Sequence, residues 1–364
     1  MCSLKTIVIR VDAKNPEDTL LKPAAEALKK GELVAFPTET VYGLGANALK
    51  PDAVASIFRV KGRPADNPLI VHVADPAGLE PLVSEVTPLA RKLLAFMPGP
   101  LTLVLRRSKQ VPDLVTAGLD TVAVRMPDHP VARRLIELSG VPVAAPSANR
   151  SGRPSPTQAW HVLQDLDGRI PYLVDGGPCQ YGLESTVVDV TGPKPVILRP
   201  GSITAAMILS VTGVSPVLQD TADADVPRAP GMKYRHYAPK ARVAIVDEST
   251  GPAIAAKIRG LISNGKRIGV FACERLIREM GLSCIPVDAH TEKATVPADG
   301  ACFSLVYGPE PDAEKAGQAL FDALRTLDSL GCDLIIAEGL PAEGIGSAYM
   351  NRLRKAACLD EKTL

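Results

Sequence analysis

The stretch Lys61-Gly-Arg-Pro-Ala-Asp-Asn-Pro-Leu-Ile-Val-His72 sets the terms on which this chain can fold. Pro64 and Pro68 each lock φ at about −65° and bias Arg63 and Asn67 toward an extended backbone, so a helix arriving at Lys61 must stop there. The loop is stiff, it carries two cationic heads and an amide, and it runs directly into an aliphatic strand. A rigid loop of that kind can grip an anion.

Two further stretches repeat the plan. Phe36-Pro-Thr-Glu-Thr-Val-Tyr-Gly-Leu-Gly-Ala-Asn47 follows a short aliphatic strand and is too polar and glycine-broken to be core. Ala144-Ala-Pro-Ser-Ala-Asn-Arg-Ser-Gly-Arg-Pro-Ser-Pro-Thr157 again leads an aliphatic strand into hydroxyls, an amide and arginines. Three such loops leaving strand ends predict one shared site at a sheet edge or crevice.

Periodicity predicts strands over 6–10, 33–36, 69–73, 101–105, 122–126, 141–145, 172–174, 185–189 and 196–198. It predicts helices over 16–31, over 52–60 with Asp52 as cap, over 87–97, over 130–138 and over 203–211. Residues 213–240 read as a linker, although Met232-Lys-Tyr-Arg-His-Tyr237 within it is aromatic and basic. That composition makes the linker a candidate active-site lid. Beyond it, apolar strands at 243–246, 267–271 and 333–337 alternate with helices at 253–262, 274–280, 313–330 and a last one after Gly344. This predicts a small Rossmann-like parallel domain, with no Gly-x-Gly-x-x-Gly after its first strand to bind a dinucleotide. The domains expected are 1–212, the linker 213–240, and 241–364.

The 364 residues suffice for two cores, and no apolar run reaches membrane-spanning length. With 41 Lys and Arg against 40 Asp and Glu, nothing favours strong non-specific nucleic-acid binding. The seven cysteines include no Cys-x-x-Cys pair and no secretory signal precedes them, so free thiols in a cytoplasmic protein, with no disulfide and no metal site, are expected.

Lys61-Gly-Arg63, Ser147-Ala-Asn149, Phe36-Pro-Thr-Glu-Thr-Val-Tyr-Gly43 and Gly182-Leu-Glu-Ser-Thr186 together closely resemble the YrdC-like threonylcarbamoyl-AMP synthases. The resemblance covers residues 5–205 and continues through Ala229-Pro-Gly-Met-Lys-Tyr-Arg-His-Tyr-Ala-Pro239, which fits the longer, two-domain form. It implies an α/β chain: a YrdC-like twisted mixed sheet with helices, then the smaller parallel domain. It also implies condensation of L-threonine, bicarbonate or CO2, and ATP into threonylcarbamoyl-adenylate and pyrophosphate. Mg²⁺ would be carried by the nucleotide, and the product passed to a separate transferase that modifies tRNA; direct tRNA contact is left open.

By the same resemblance Arg63, Asn67, Thr121, Ser147, Ser155, Arg199 and Tyr234 fall on ATP-contacting positions, and Thr40, His72, Arg125, Ala145 and Ser185 on threonine-contacting ones. Lys61, Arg63, Ser147 and Asn149 are the catalytic candidates. The chemistry fits these types, since adenylation needs positioning and positive charge rather than a protein nucleophile, and a guanidinium such as Arg125 can hold a carboxylate by two bonds. Each residue also has a plainer use, in a turn, a surface ion pair or the core. A rival reading is an RNA-binding module with Lys61, Arg63, Arg150, Arg153 and Arg199 on one concave face, weakened by an aromatic content of 4%. A carbamoyl-adenylate enzyme of the hydrogenase-maturation kind would need acylphosphatase and zinc-finger segments that are not seen here.

Overall fold

The computed structural model describes residues 5–219, 236–247, 251–288 and 300–357. Tyr234 and most of the candidate lid lie outside the described residues. Two compact units emerge: the described residues of Met1–Ser151 and Ser155–Tyr234, and those of Gly152–Pro154 and Arg235–Leu364.

The first unit begins with β1 (Ile7–Arg10), α1 (Asp18–Lys30), β2 (Val34–Phe36), β3 (Gly43–Asn47), α2 (Pro51–Lys61) and β4 (Ile70–His72). It continues with α3 (Pro88–Leu93), β5 (Leu101–Arg106), α4 (Asp113–Thr116), β6 (Thr121–Arg125), α5 (Pro130–Ser139) and β7 (Val143–Ala144). It closes with α6 (Ala159–Leu166), β8 (Tyr172–Asp175), β9 (Thr186–Asp189), β10 (Val196–Arg199), α7 (Ala205–Thr212) and β11 (Val217–Leu218). Its strands form one mixed sheet in the order β1-β8-β2-β3-β7-β4-β6-β5-β9-β10-β11.

Strand alternation divides this sheet's faces. Val71, Leu103, Val124 and Ala144 point into the main core with Val54 and Ile57 of α2, Leu93 of α3 and Val162 of α6. On the opposite face, α1 and α5 cover Val34, Phe36, Val143, Ala145 and Val174. That face continues across β4, β6, β5, β9 and β10 with a small cluster of Ile70, Ala123, Val104, Val187 and Leu198, to which no helix among the described residues contributes.

Several expectations need correction. The stretch 36–47 is not a surface loop: every residue in it is buried, and its second half is β3, paired antiparallel with β2. Its glycines hide the strand pattern because they are needed there. A Cβ on Gly45 would sit 2.8 Å from both the Phe36 ring and Val143 Cγ1, so only glycine lets those side chains close over the strand. Asp52 does not cap α2; Lys50 is at the N-cap and Asp52 acts in the first turn, where a carboxylate opposes the helix dipole. The helix expected over 87–97 shortens to α3, capped by Thr87 and followed by a 3-10 turn at Leu94–Phe96. α6 is absent from the sequence reading because His161 and Asp165 share its buried face with Val162 and Leu166, which blurs the apolar stripe.

The second unit comprises β12 (Arg242–Val246), α8 (Gly251–Ser263), β13 (Ile268–Ala272), α9 (Glu274–Met280), β14 (Ile285–Pro286), β15 (Cys302–Val306), α10 (Ala313–Ser329), β16 (Leu334–Glu338) and α11 (Ile345–Ala356). All its strand pairs are parallel, in the order β12-β16-β13-β15-β14. The expectation of no disulfide fails here: Cys284 and Cys302 are bonded. The register that sets Ile285 opposite Phe303 puts the preceding residue of each strand side by side. No helix among the described residues is long and apolar enough to cross a membrane.

Candidate active site

Register brings the predicted residues together. His72 pairs with Arg125 across parallel β4 and β6, Arg125 with Thr102 across antiparallel β6 and β5, Thr102 with Val187 across β5 and β9, and Val187 with Arg199 across β9 and β10. Five adjacent strands therefore contribute one cross-sheet row, His72–Arg125–Thr102–Val187–Arg199. At about 4.8 Å between strands the row is roughly 19 Å long. It borders the small apolar cluster, whose Ala123 separates Arg125 from Thr121 on β6. Ala145 lies beside β4, its amide donating to the Ile70 carbonyl at 2.9 Å.

Ser185, just before β9, ties the row together. Its hydroxyl lies 2.8 Å from Thr102 Oγ1 and accepts from Arg199 Nη2 at 3.2 Å, while Arg199 Nε donates to its carbonyl at 3.1 Å. Gly201 makes this approach feasible, since a Cβ there would meet the Thr186 amide nitrogen at 2.3 Å. Ser155, fully buried, donates to Glu184 Oε1 at 2.6 Å. Glu184 thus supports a predicted ATP-contacting residue, and sequence reasoning quoted it without assigning it a role.

The loop that opened the sequence analysis is fastened at both ends. Gly62 takes a left-handed φ of 62° that terminates α2. Arg63 Nη2 donates to the Asn67 and Pro68 carbonyls at 3.3 and 3.0 Å, which curls the loop on itself. Asn67 is buried and its Oδ1 has no hydrogen-bond partner, an amide acceptor left ready for a donor. Lys61 is only 3% exposed, and its ammonium donates to the Ser147 and Asn149 carbonyls, the latter at 2.5 Å. Ser147 in turn donates to Asn149 Oδ1 at 2.5 Å. The Lys-Gly-Arg and Ser-Ala-Asn segments, 86 residues apart, are therefore one hydrogen-bonded unit. Lys61 and Arg199 (5% exposed) are buried and engaged, so two of the five cations of the RNA reading are withdrawn from solvent.

Around Arg125 the packing is close. Arg125 Nη2 stands 2.7 Å from Glu39 Oε1, both side chains buried. Thr40 Oγ1 lies 2.9 Å from Thr38 Oγ1, and it is Thr38, not Thr40, that closes the local turn by donating to the Val41 carbonyl at 2.6 Å. His72 packs edge-on against Phe36. Burial first, and the Arg125 charge second, push its imidazole down to a pKa of about 3. It is therefore neutral at physiological pH and can serve as a hydrogen-bonding partner without adding charge.

An unfolded histidine takes up its proton near pH 6.5, whereas the folded His72 takes it up only near pH 3. Below pH 6.5 the unfolded chain thus binds more protons, and His72 withdraws stability as pH falls through that window. A His72→Gln variant is expected to lose less stability between pH 7 and pH 5 than the parent, read as the shift in urea midpoint. Equal shifts in both proteins would mean that His72 can be protonated in the folded state.

With this geometry in view, the comparisons with known proteins fall into line. The family described as Telomere recombination matches residues 26–201, and the Threonylcarbamoyl-AMP synthase C-terminal domain matches 203–358. A threonylcarbamoyl-AMP synthase of Pyrococcus abyssi is 46% identical over 97% of this chain and 98% of its own, and one of Bacillus subtilis is 47% identical over 95% of each. The crystal structure of P. abyssi Sua5 complexed with L-threonine superposes with a TM-score of 0.84 at 45% identity, covering 97% of this chain and 98% of that one. Matching in both units, over nearly its whole length and at this identity, the chain belongs to the threonylcarbamoyl-AMP synthase family.

Proposed function

We propose that this chain condenses L-threonine, bicarbonate or CO2, and ATP into threonylcarbamoyl-adenylate, releasing pyrophosphate. The observation that carries the reading is the cross-sheet row, which sets a buried carboxylate receptor, Arg125, three strands from a buried phosphate receptor, Arg199, with Ser185 bonded to Arg199 and to Thr102, the strand partner of Arg125. The P. abyssi relative's binding of L-threonine supports it.

In this reading Arg125 holds the threonine carboxylate, while Thr40, His72, Ala145 and Ser185 shape the rest of that subsite. Arg63, Asn67, Thr121, Ser147, Ser155 and Arg199 receive ATP, joined by Tyr234 from the linker. The threonine amine captures CO2 as a carbamate, and a carbamate oxygen attacks the α-phosphorus as pyrophosphate leaves. No protein nucleophile takes part, so the chain's contribution is alignment and charge: Arg63 and Arg199 stabilise the phosphoryl oxygens, and Lys61 and Asn149 hold Ser147 in place. Mg²⁺ arrives with the nucleotide. The adenylate passes to a separate transferase acting on tRNA, in the cytoplasm.

The deciding assay is pyrophosphate release from ATP, which should require threonine and bicarbonate together among all twenty amino acids. Release without threonine, or with any amino acid, rejects the reading. In the same assay Arg63→Lys should turn over about 10- to 100-fold more slowly at near-parental stability, because a lysine keeps the charge but loses the planar fork. Parental kcat/KM for ATP would remove Arg63 from the phosphate site.

A further inference from the structure

Glu39 is a buried charge that the reaction scheme above leaves without a task. It is 1% exposed, yet neither of its oxygens has a hydrogen-bond partner, and the Nε of its neighbour Arg125 has none either. The 2.7 Å contact between Oε1 and Nη2 neutralises the two charges but lies outside hydrogen-bond geometry. A carboxylate offers about four acceptor sites and a guanidinium five donors, so both partners keep capacity unused. Leaving such groups unsatisfied in the interior carries a desolvation cost that nothing offsets, which calls for a reason.

The unused capacity has a definite shape: an acceptor and a donor of opposite charge, side by side, in a site whose net charge is already zero. The ligand that completes it carries a cationic donor and an anionic acceptor a few ångströms apart and is itself neutral overall. An α-amino acid zwitterion has that form. The neighbouring hydroxyls are less suited to the amine. Thr40 is engaged with Thr38, and Ser185 with Thr102 and Arg199. A neutral hydroxyl also bonds an alcohol as readily as an amine, whereas a buried carboxylate discriminates strongly between them.

Resting on the proposed function and deepening it, we propose that Glu39 is a specificity-determining residue that receives the α-ammonium group of the substrate while Arg125 receives its carboxylate. The pair forms a zwitterion clamp. It admits amino acids and rejects the corresponding 2-hydroxy acids, whose single neutral hydroxyl leaves the Glu39 charge without a cationic partner once Arg125 has taken the ligand carboxylate.

The test measures calorimetric binding of L-threonine and of 2,3-dihydroxybutanoate, its hydroxy-acid counterpart, to the full chain, to Glu39→Gln and to Glu39→Asp, with melting temperatures recorded alongside. Glu39→Gln should bind threonine about 10- to 100-fold more weakly, the value of a charge-assisted hydrogen bond, with hydroxy-acid affinity unchanged or improved. Should Glu39→Gln fail to fold with Arg125 uncompensated, Glu39→Asp decides. It keeps the charge but withdraws it by one methylene, and should show the same selective loss in milder form. Equal losses toward both ligands would make Glu39 a strut for Arg125, and parental threonine affinity would give it no role in binding; either overturns the inference. If the native chain neither binds threonine nor releases pyrophosphate with it, the proposed function falls and takes the clamp with it.

Discussion

Replacing Lys61 by methionine should cost both folding and turnover: about 3 kcal/mol of unfolding free energy and a roughly 100-fold or greater fall in pyrophosphate release. The side chain is of similar length, but it withdraws a charged donor from the buried carbonyl of Asn149 and the part-buried one of Ser147. Buried carbonyls that lose such a donor are left with desolvation that nothing offsets. Lys61 is also the last residue of α2, where a cation favours the helix dipole, so the loss adds to the destabilisation. The kinetic penalty follows from geometry, because the loop that presents Ser147 and Asn149 is no longer pinned, and misplacement of about 1 Å can cost 10²-fold. Chemical unfolding and steady-state kinetics on the same preparation separate the contributions. If turnover collapses while the unfolding midpoint stays put, Lys61 acts on the phosphates directly and its bonds to the loop are incidental.

The largest stability effect is expected at Arg125. Truncating one partner of a buried ion pair leaves the other charge uncompensated, which costs about 3–5 kcal/mol. Arg125→Met should therefore destabilise the first unit by that order, with Glu39 as the stranded charge. The double variant Glu39→Gln with Arg125→Met removes both charges and should recover a large part of the loss without restoring activity. A double-mutant cycle reports the coupling. Additive losses would mean that the two groups do not depend on each other in the folded state, despite their 2.7 Å approach.

The sequence was most informative where strand and polar loop alternate. The boundaries of β2, β5, β6 and β10 fall within a residue or two of the periodic reading, because aliphatic runs bounded by proline or glycine leave little freedom. It was least informative at β3, where glycines that Phe36 and Val143 require stand where a strand would show its apolar residues. Position along the chain also concealed how the candidate site is assembled. That Lys61 grips the Ser147–Asn149 segment, or that His72, Arg125 and Arg199 share a row, depends on pairings between distant strands, which no local pattern encodes. Glu39 and Glu184 lie inside the polar motifs, but a carboxylate beside threonines or serines reads as a solvated side chain until burial is known. The disulfide was missed for a similar reason, since β14 and β15 become neighbours only through the sheet.

The strand order has a consequence for synthesis on the ribosome. β8 lies between β1 and β2, and β7 between β3 and β4, so late strands insert between early ones. The nascent chain must expose the residues that will meet Tyr172–Asp175 before β1 and β2 have any common partner. At roughly 5–20 residues per second, that wait is on the order of ten seconds or more. Throughout it, the apolar edges of β1 and β2 stand open to other chains, and the long sequence separations make closure slow once it can begin. A protein built in this order depends on something to shield its first half until the second arrives, whether tunnel, chaperone or low local concentration.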